Sequence, residues 1–438
     1  MLSYPVRIAL IAALGGFLFG FETVVISGAE KTLEQFWHLD SFSHGFTVAS
    51  SLIGTVLGSM LAAAPARKFG RKKTLQVIAT LFIIAAVGCA SVSAWIAFIF
   101  FRVVGGLAVG ASSVVAPMYI SEIAPAKLRG RLAGSFQLNI VTGICIAFLT
   151  NYAFISFGDN SWRWMLGVMV IPAVLFWILL RFIPESPRWL ILNGKEKAAV
   201  PVLQKLGETD VNSAISVIQE SVKQHRESLF QRQYSKPIVY AVLLAMFNQL
   251  SGINAIFYYA PRIFEKAGFD TKQAFSHSVY LGLANLICTL LAMTVIDKFG
   301  RKKLLIIGSI GTCIFLALTA QSLYGVATAN GNVIFYLIGF IAFFAFSQGA
   351  VIWVFISEIF PNSVRSQGGA LGSSTHWIMA AIISWIFPVI LEKVPEGASY
   401  SFIFCSAMMV LQLLFIWRVL PETKGKSLEQ IQKDLGIA

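Results

Sequence analysis

Long apolar runs separated by short polar breaks dominate the chain. The first six fall near residues 8–29, 46–66, 74–94, 96–119, 133–155 and 164–183. A polar stretch at 184–236 follows, then six more runs near 237–260, 276–297, 304–324, 333–356, 369–391 and 400–420. A helix needs ~20 apolar residues to cross the hydrocarbon core of a bilayer. Backbone inside lipid satisfies its own hydrogen bonds only as a helix or a closed barrel. The runs lack the alternation of barrel strands, so the pattern predicts an all-α polytopic membrane protein with twelve transmembrane helices. The first run, preceded by Arg7, also has the outline of a secretion signal. Its polar positions fit a functional span better.

The polar breaks repeat. Arg67-Lys68-Phe69-Gly70-Arg71-Lys72-Lys73 returns as Asp297-Lys298-Phe299-Gly300-Arg301-Lys302-Lys303. Ser121-Glu122-Ile123-Ala124-Pro125 with Arg129 returns as Ser357-Glu358-Ile359-Phe360-Pro361 with Arg365, and Pro184-Glu185-Ser186 as Pro421-Glu422-Thr423. Three matched pairs at offsets of 230 to 237 residues mean an internal duplication. The predicted organisation is a six-helix bundle over 1–183, a helical linker over 184–236, a second six-helix bundle over 237–420 and a polar tail over 421–438. The linker carries helix-forming segments at Lys195–Leu206 and Val211–Phe230.

Composition agrees with lipid as solvent: 57% of residues are hydrophobic and 13% charged. The net charge of +13 raises nucleic acid as a partner, but the basic residues sit in short loops between spans. Thirteen Lys and Arg follow the even spans and six follow the odd ones. Basic loops face the cytoplasm, which puts both termini and the linker there. The short loops point to a bacterial cytoplasmic (inner) membrane. The five cysteines lie inside apolar runs with no pairing or metal spacing, and read as packing residues. No nucleophile–base set, metal cluster or nucleotide loop points to an enzyme, and no cofactor is implied. Two six-span repeats joined by a soluble connector are expected to pack about an axis along the membrane normal, with a polar site between them. A functional monomer is expected.

The duplicated Phe-Gly-Arg-Lys loops join other motifs in order along the chain. These are Pro184-Glu185-Ser186-Pro187-Arg188-Trp189-Leu190, Gln249-Leu250-Ser251-Gly252-Ile253-Asn254 with Tyr258-Tyr259, and Pro421-Glu422-Thr423-Lys424-Gly425. On these motifs the chain resembles the sugar porter family of the major facilitator superfamily over essentially its whole length. The pattern is similar to both bacterial sugar–proton symporters and mammalian glucose facilitators. The resemblance implies an alternating-access monosaccharide transporter.

Glu22 is the only acidic residue inside the first run, and a charge kept in lipid is a functional candidate by default. At 1.5 Å per residue, Glu22 lies ~21 Å up span one and Arg102 ~9 Å down span four. In a ~30 Å core these depths coincide. A Glu22–Arg102 pair is therefore geometrically feasible, as a static ion pair or as a proton site. In family members that resemble proton symporters the Glu22 position is Asp; in facilitators it is an amide. Glu keeps the carboxyl, and protons are the expected coupling ion.

A sugar site needs neutral hydrogen-bonding groups and aromatic faces. The resemblance assigns sugar contact to Gln137, Gln249, Asn254, Asn285, Trp353 and Trp377, and an outer gate to Tyr258 and Tyr259. Asn248, Gln348, Ala350 and His376 depart from the family pattern around that site. His376 is also a candidate proton relay beside its neutral hydrogen-bonding reading. For the cytoplasmic gate, Asp297, Arg301, Glu358 and Arg365 can pair across the halves, and Arg71, Glu122 and Arg129 repeat the pattern. Arg67 stands where Asp297 stands in the second copy, so the two latches are unequal. A proton-independent facilitator and a membrane sugar sensor remain alternatives.

Overall fold

In a computed structural model the chain is helical, and the structure describes residues 3–125, 128–208, 210–220, 227–325, 331–426 and 428–437. Among them, twelve helices are long and apolar enough to cross a bilayer. Spans one to six are Tyr4–Phe36, Ser41–Leu61, Arg71–Ser91, Trp95–Ile123, Gly130–Phe154 and Gly158–Leu179. Spans seven to twelve are Arg232–Tyr258, Thr271–Ile296, Arg301–Leu323, Asn332–Ile356, Arg365–Lys393 and Gly397–Arg418.

Span one extends beyond the expected 8–29 at both ends. Glu30, Lys31 and Glu34 continue the helix instead of closing it. They are good helix formers, and each finds an opposite charge, so polarity alone does not end the span. Three spans are broken where the apolar runs give no sign of it: span six between Ser161–Gly167 and Val170–Leu179, and spans seven and ten. Span seven divides into Ser235–Leu250 and Ile253–Tyr258, with Gly252 in the left-handed region at φ 82° between them. Ala260–Lys266 then continues as a separate helix. Span ten divides at Ser347 into Asn332–Phe346 and Gln348–Ile359. Broken spans place polar side chains and backbone groups inside the membrane layer. Gln249 and Gln348 both stand at such breaks.

Contacts divide the chain into two compact units. One comprises Met1–Thr23, Ile53–Ile144 and Leu166–Arg226, and the other Val24–Leu52, Cys145–Met165 and Glu227–Ala438. The second unit thus gathers one end of spans one, two, five and six with the whole second set of six. In the first unit, the connector helices Pro187–Leu192, Glu196–Lys205 and Val211–Glu220 close a small core around Trp189, Leu190, Ile191, Ala199 and Leu203. In the second, the tail is not simply polar. A helix at Leu428–Leu435 buries Ile431 and Leu435 against Leu229, Tyr234, Ile416 and Leu420. Each such apolar side chain contributes about 1.5–3 kcal/mol.

The duplicated motifs converge within each unit. In the first, the Glu185 carboxylate accepts from the Arg71 and Lys72 backbone N–H groups at 2.8 and 3.1 Å, capping the start of span three. In the second, Glu422 does the same for Arg301 and Lys302 at 3.0 and 3.2 Å. A carboxylate there satisfies orphan donors and complements the helix dipole. It also explains the paired glycines. Their φ values are 97° and 89°. A Cβ would stand 2.2 Å from Glu185 Oε2 at Gly70 and 2.7 Å from Glu422 Oε2 at Gly300.

Candidate functional site

Span one carries Glu22 and span four carries Arg102, and the two side chains meet. Arg102 Nη1 donates to Glu22 Oε1 at 2.5 Å. Both are buried, at 4% and 1% exposure. One turn beyond Arg102, Gly105 leaves the room that the carboxylate fills: a Cβ there would lie 2.8 Å from Glu22 Oε1. A buried pair of this kind stands or falls together, because a lone charge left behind is uncompensated.

In the second unit, buried amides and aromatic rings gather at the break in span seven. Asn254 Nδ2 donates to Gln249 Oε1 at 2.9 Å, and Gln249 Nε2 donates to Asn248 Oδ1 at 3.0 Å. The same Nε2 lies 3.0 Å from His376 Nε2. The His376 ring stands 4.9 Å from Trp353 and 4.8 Å from Trp377, centroid to centroid. Gln348 and Gln412 extend the polar set, with Gln348 Nε2 donating to Gln412 Oε1 at 2.9 Å. The structure thus brings together four of the six residues assigned to sugar contact. Asn285 is buried in span eight. Gln137 is half-buried in span five and belongs to the other compact unit.

Tyr258 and Tyr259, expected at an outer gate, are both buried. The Tyr259 hydroxyl donates to the Ser384 carbonyl at 3.0 Å, and its ring lies 5.8 Å from His44. That histidine opens a cluster that the sequence reading misses. Glu30 and Glu34 sit one turn apart on span one, His44 on span two and Arg262 on the helix after span seven. Arg262 donates to Glu30 at 3.1 Å through Nε and also binds Glu34. His44 Nε2 lies 2.7 Å from Glu30 Oε2. Lys31 and Glu265 pair beside them at 2.6 Å. Burial works against the Arg262 charge, and the neighbouring Glu30 and Glu34 override it, raising its pKa. Glu30, Glu34 and His44 have metal-ligand spacing, but the guanidinium already holds the positive charge that a metal would bring. The sequence offers only a partial signal: Glu30 and Glu34 fall four residues apart, on one helix face.

Two further ion pairs sit at the duplicated motifs. Arg71 meets Glu122 through Nε and Nη2 at 2.9 and 2.8 Å, and Glu122 accepts from Ser186 Oγ at 2.5 Å. Arg301 meets Glu358 at 3.0 Å, and Glu358 accepts from Thr423 Oγ1 at 2.6 Å. Each pair closes inside one compact unit. This differs from the expected bond across the halves, because each copy of the repeat carries both partners and satisfies its own charge. Arg365 donates to the Phe360 carbonyl at 3.3 Å. The Arg129 and Asp297 side chains lie outside the described residues.

The family model described as "Sugar (and other) transporter" matches residues 8–435. A glucose transport protein of Synechocystis is 38% identical, with 98% of this chain and 97% of that protein covered. The D-xylose–proton symporter of Escherichia coli is 37% identical, covering 98% of this chain and 95% of that one. An inward-open structure of the xylose transporter of Escherichia coli superposes with a TM-score of 0.88 at 33% identity, over 98% of this chain and 99% of the other.

Proposed function

The chain belongs to the sugar transporter family, and from that premise we propose that it imports a monosaccharide, a hexose or pentose, by alternating access, with a proton carried at Glu22. The observation that carries the proposal is the buried Glu22–Arg102 contact at 2.5 Å. Protonating Glu22 removes the charge that Arg102 pairs with and loosens span one from span four. Deprotonating it draws them together again. A conformational change follows only from such a differential energy between states. Coupling to sugar then rests on both ligands biasing one equilibrium.

The remaining parts follow the same logic. The bundles at 1–183 and 237–420 are the two bodies that rock, and 184–236 links them at the cytoplasmic side. The excess of basic residues after even spans supports cytoplasmic termini, in the cytoplasmic membrane of a bacterium. The functional unit is one chain in lipid. The amides and indoles around Gln249 and Trp377 supply the neutral hydrogen bonds and flat faces that suit a sugar. The Glu30–His44–Arg262 cluster serves as the outer latch.

Uptake into proteoliposomes across a panel of hexoses and pentoses, with and without a pH gradient, tests the proposal. At least one sugar should accumulate only when the gradient is present, with a matching proton signal. Sugar entry without proton movement would make Glu22–Arg102 a structural pair and the protein a facilitator. No sugar entry at all would remove the transport reading.

A further inference from the structure

Five amides of the second unit, all buried except the half-buried Asn254, form one head-to-tail chain. Asn254 donates to Gln249, Gln249 to Asn248, Asn248 to Gln348 and Gln348 to Gln412, over distances of 2.9, 3.0, 3.5 and 2.9 Å. Gln249, Asn248 and Gln348 each receive at the oxygen and give from the nitrogen, while Asn254 opens the chain as a donor and Gln412 closes it as an acceptor whose own nitrogen has no hydrogen-bond partner among the described residues. One amide cannot turn over alone without setting oxygen against oxygen on one side and N–H against N–H on the other. The chain therefore has a single direction, and that direction is pinned away from the site. Gln348 Nε2 also lies 3.4 Å from Met409 Sδ. A thioether accepts and has no hydrogen to give, so Gln348 must present its nitrogen there and its oxygen to Asn248.

The consequence reaches Gln249. One of its two N–H groups goes to Asn248, and the other faces the His376 ring nitrogens at 3.0 and 3.3 Å. Its oxygen takes one bond from Asn254 and keeps a lone pair. Resting on the sugar-transport reading, we propose that Gln348 and Gln412 are positioning residues that fix Gln249 as an acceptor, so that the sugar hydroxyl facing it must donate. Both are fully buried, at 1% and 0% exposure, and act only through this relay. The chain discriminates the polarity of a hydrogen bond as well as its presence.

The experiment compares the transported sugar with its deoxy and deoxyfluoro analogues, position by position, in the purified full-length protein and in Gln348→Met and Gln412→Met. Fluorine can accept weakly but cannot donate. In the parent, one position should lose binding equally on removal of the hydroxyl and on replacement by fluorine. In Gln348→Met, KM for the sugar should rise roughly threefold to tenfold, the worth of one amide hydrogen bond, with the maximal rate unchanged; in Gln412→Met, where Met409 still accepts from Gln348, the rise should be smaller. The fluoro penalty at that position should shrink most in Gln348→Met, because the pin at Met409 is then lost and Gln249 is free to turn. Gln412→Met, at the far end of the chain, keeps the test available if Gln348→Met does not fold. Variants with the parent's KM and analogue ranking overturn the proposal alone. A reduced maximal rate with unchanged KM assigns both residues to packing and also overturns it. A parent that binds no sugar in the panel overturns the transport reading and this proposal with it.

Discussion

Glu22 sits where one proton can change the packing of two spans. If it carries the coupling proton, Glu22→Gln mimics the protonated form permanently. Sugar exchange between two sugar-loaded compartments should survive, because that cycle needs no deprotonation. Accumulation driven by a pH gradient should vanish. Arg102→Ala should harm the protein more, since it leaves a buried carboxylate unpaired at a cost of about 3–5 kcal/mol. A melting curve and a counterflow assay on the two variants check both statements; accumulation by Glu22→Gln would send the search to another carrier, with His376 first. The Glu22–Arg102 contact is legible in the sequence because helix rise and bilayer thickness fix depth, and depth is enough to pair two lone charges. The Gln348–Gln412 bond is not. Its partners are 64 residues apart in apolar runs that carry no periodic signal of facing. The acids at Glu30 and Glu34 are hidden for a different reason: charge reads as loop, although here it continues a helix.

At the scale of elements, the duplicated glycines are the clearest case of sequence repeating because geometry repeats. The three paired motifs are visible in the chain, but the role of the Pro-Glu-Ser and Pro-Glu-Thr glutamates as helix caps is not, since nothing local ties Glu185 to a turn 114 residues away. Both glycines combine a backbone conformation reserved for glycine with a carboxylate pressed against the missing side chain. Alanine at either should destabilise the protein by roughly 1–3 kcal/mol from backbone strain alone. Gly70→Ala should cost more than Gly300→Ala, because its Cβ would meet the carboxylate at 2.2 Å instead of 2.7 Å. Thermal unfolding in detergent measures the order; equal or reversed shifts would mean that the glutamates move aside freely. The breaks at Gly252 and Ser347 show the limit of hydropathy: an apolar run counts residues that can sit in lipid, and a broken helix buried among others satisfies that count as well as a straight one.

At the scale of the whole molecule, the duplicated six-span plan is legible, because hydropathy and repeats both count spans. The membership of the compact units is not, because it depends on which helix ends pack together in one conformation. The Arg262 cluster belongs to that packing. Its carboxylates come from span one and its guanidinium from beyond span seven, 232 and 228 residues away in the chain. A bond between such distant segments contributes to one conformation and is absent from any in which they part, which is what gives it leverage over the equilibrium. Arg262→Ala would leave the buried Glu30 and the half-buried Glu34 side by side without the guanidinium that binds both. Like charges in a low-dielectric site repel, so the closed arrangement should lose stability and the open one gain population, by about tenfold for each ~1.4 kcal/mol lost. Cysteines introduced at the Glu30 end of span one or on the helix Ala260–Lys266 should then react faster with a membrane-impermeant reagent. Arg262→Lys, which keeps a positive charge but not the forked geometry that reaches both acids, should fall between parent and alanine. Equal reactivity in all three proteins would mean that the cluster is a passive ion network and that other contacts hold these segments together.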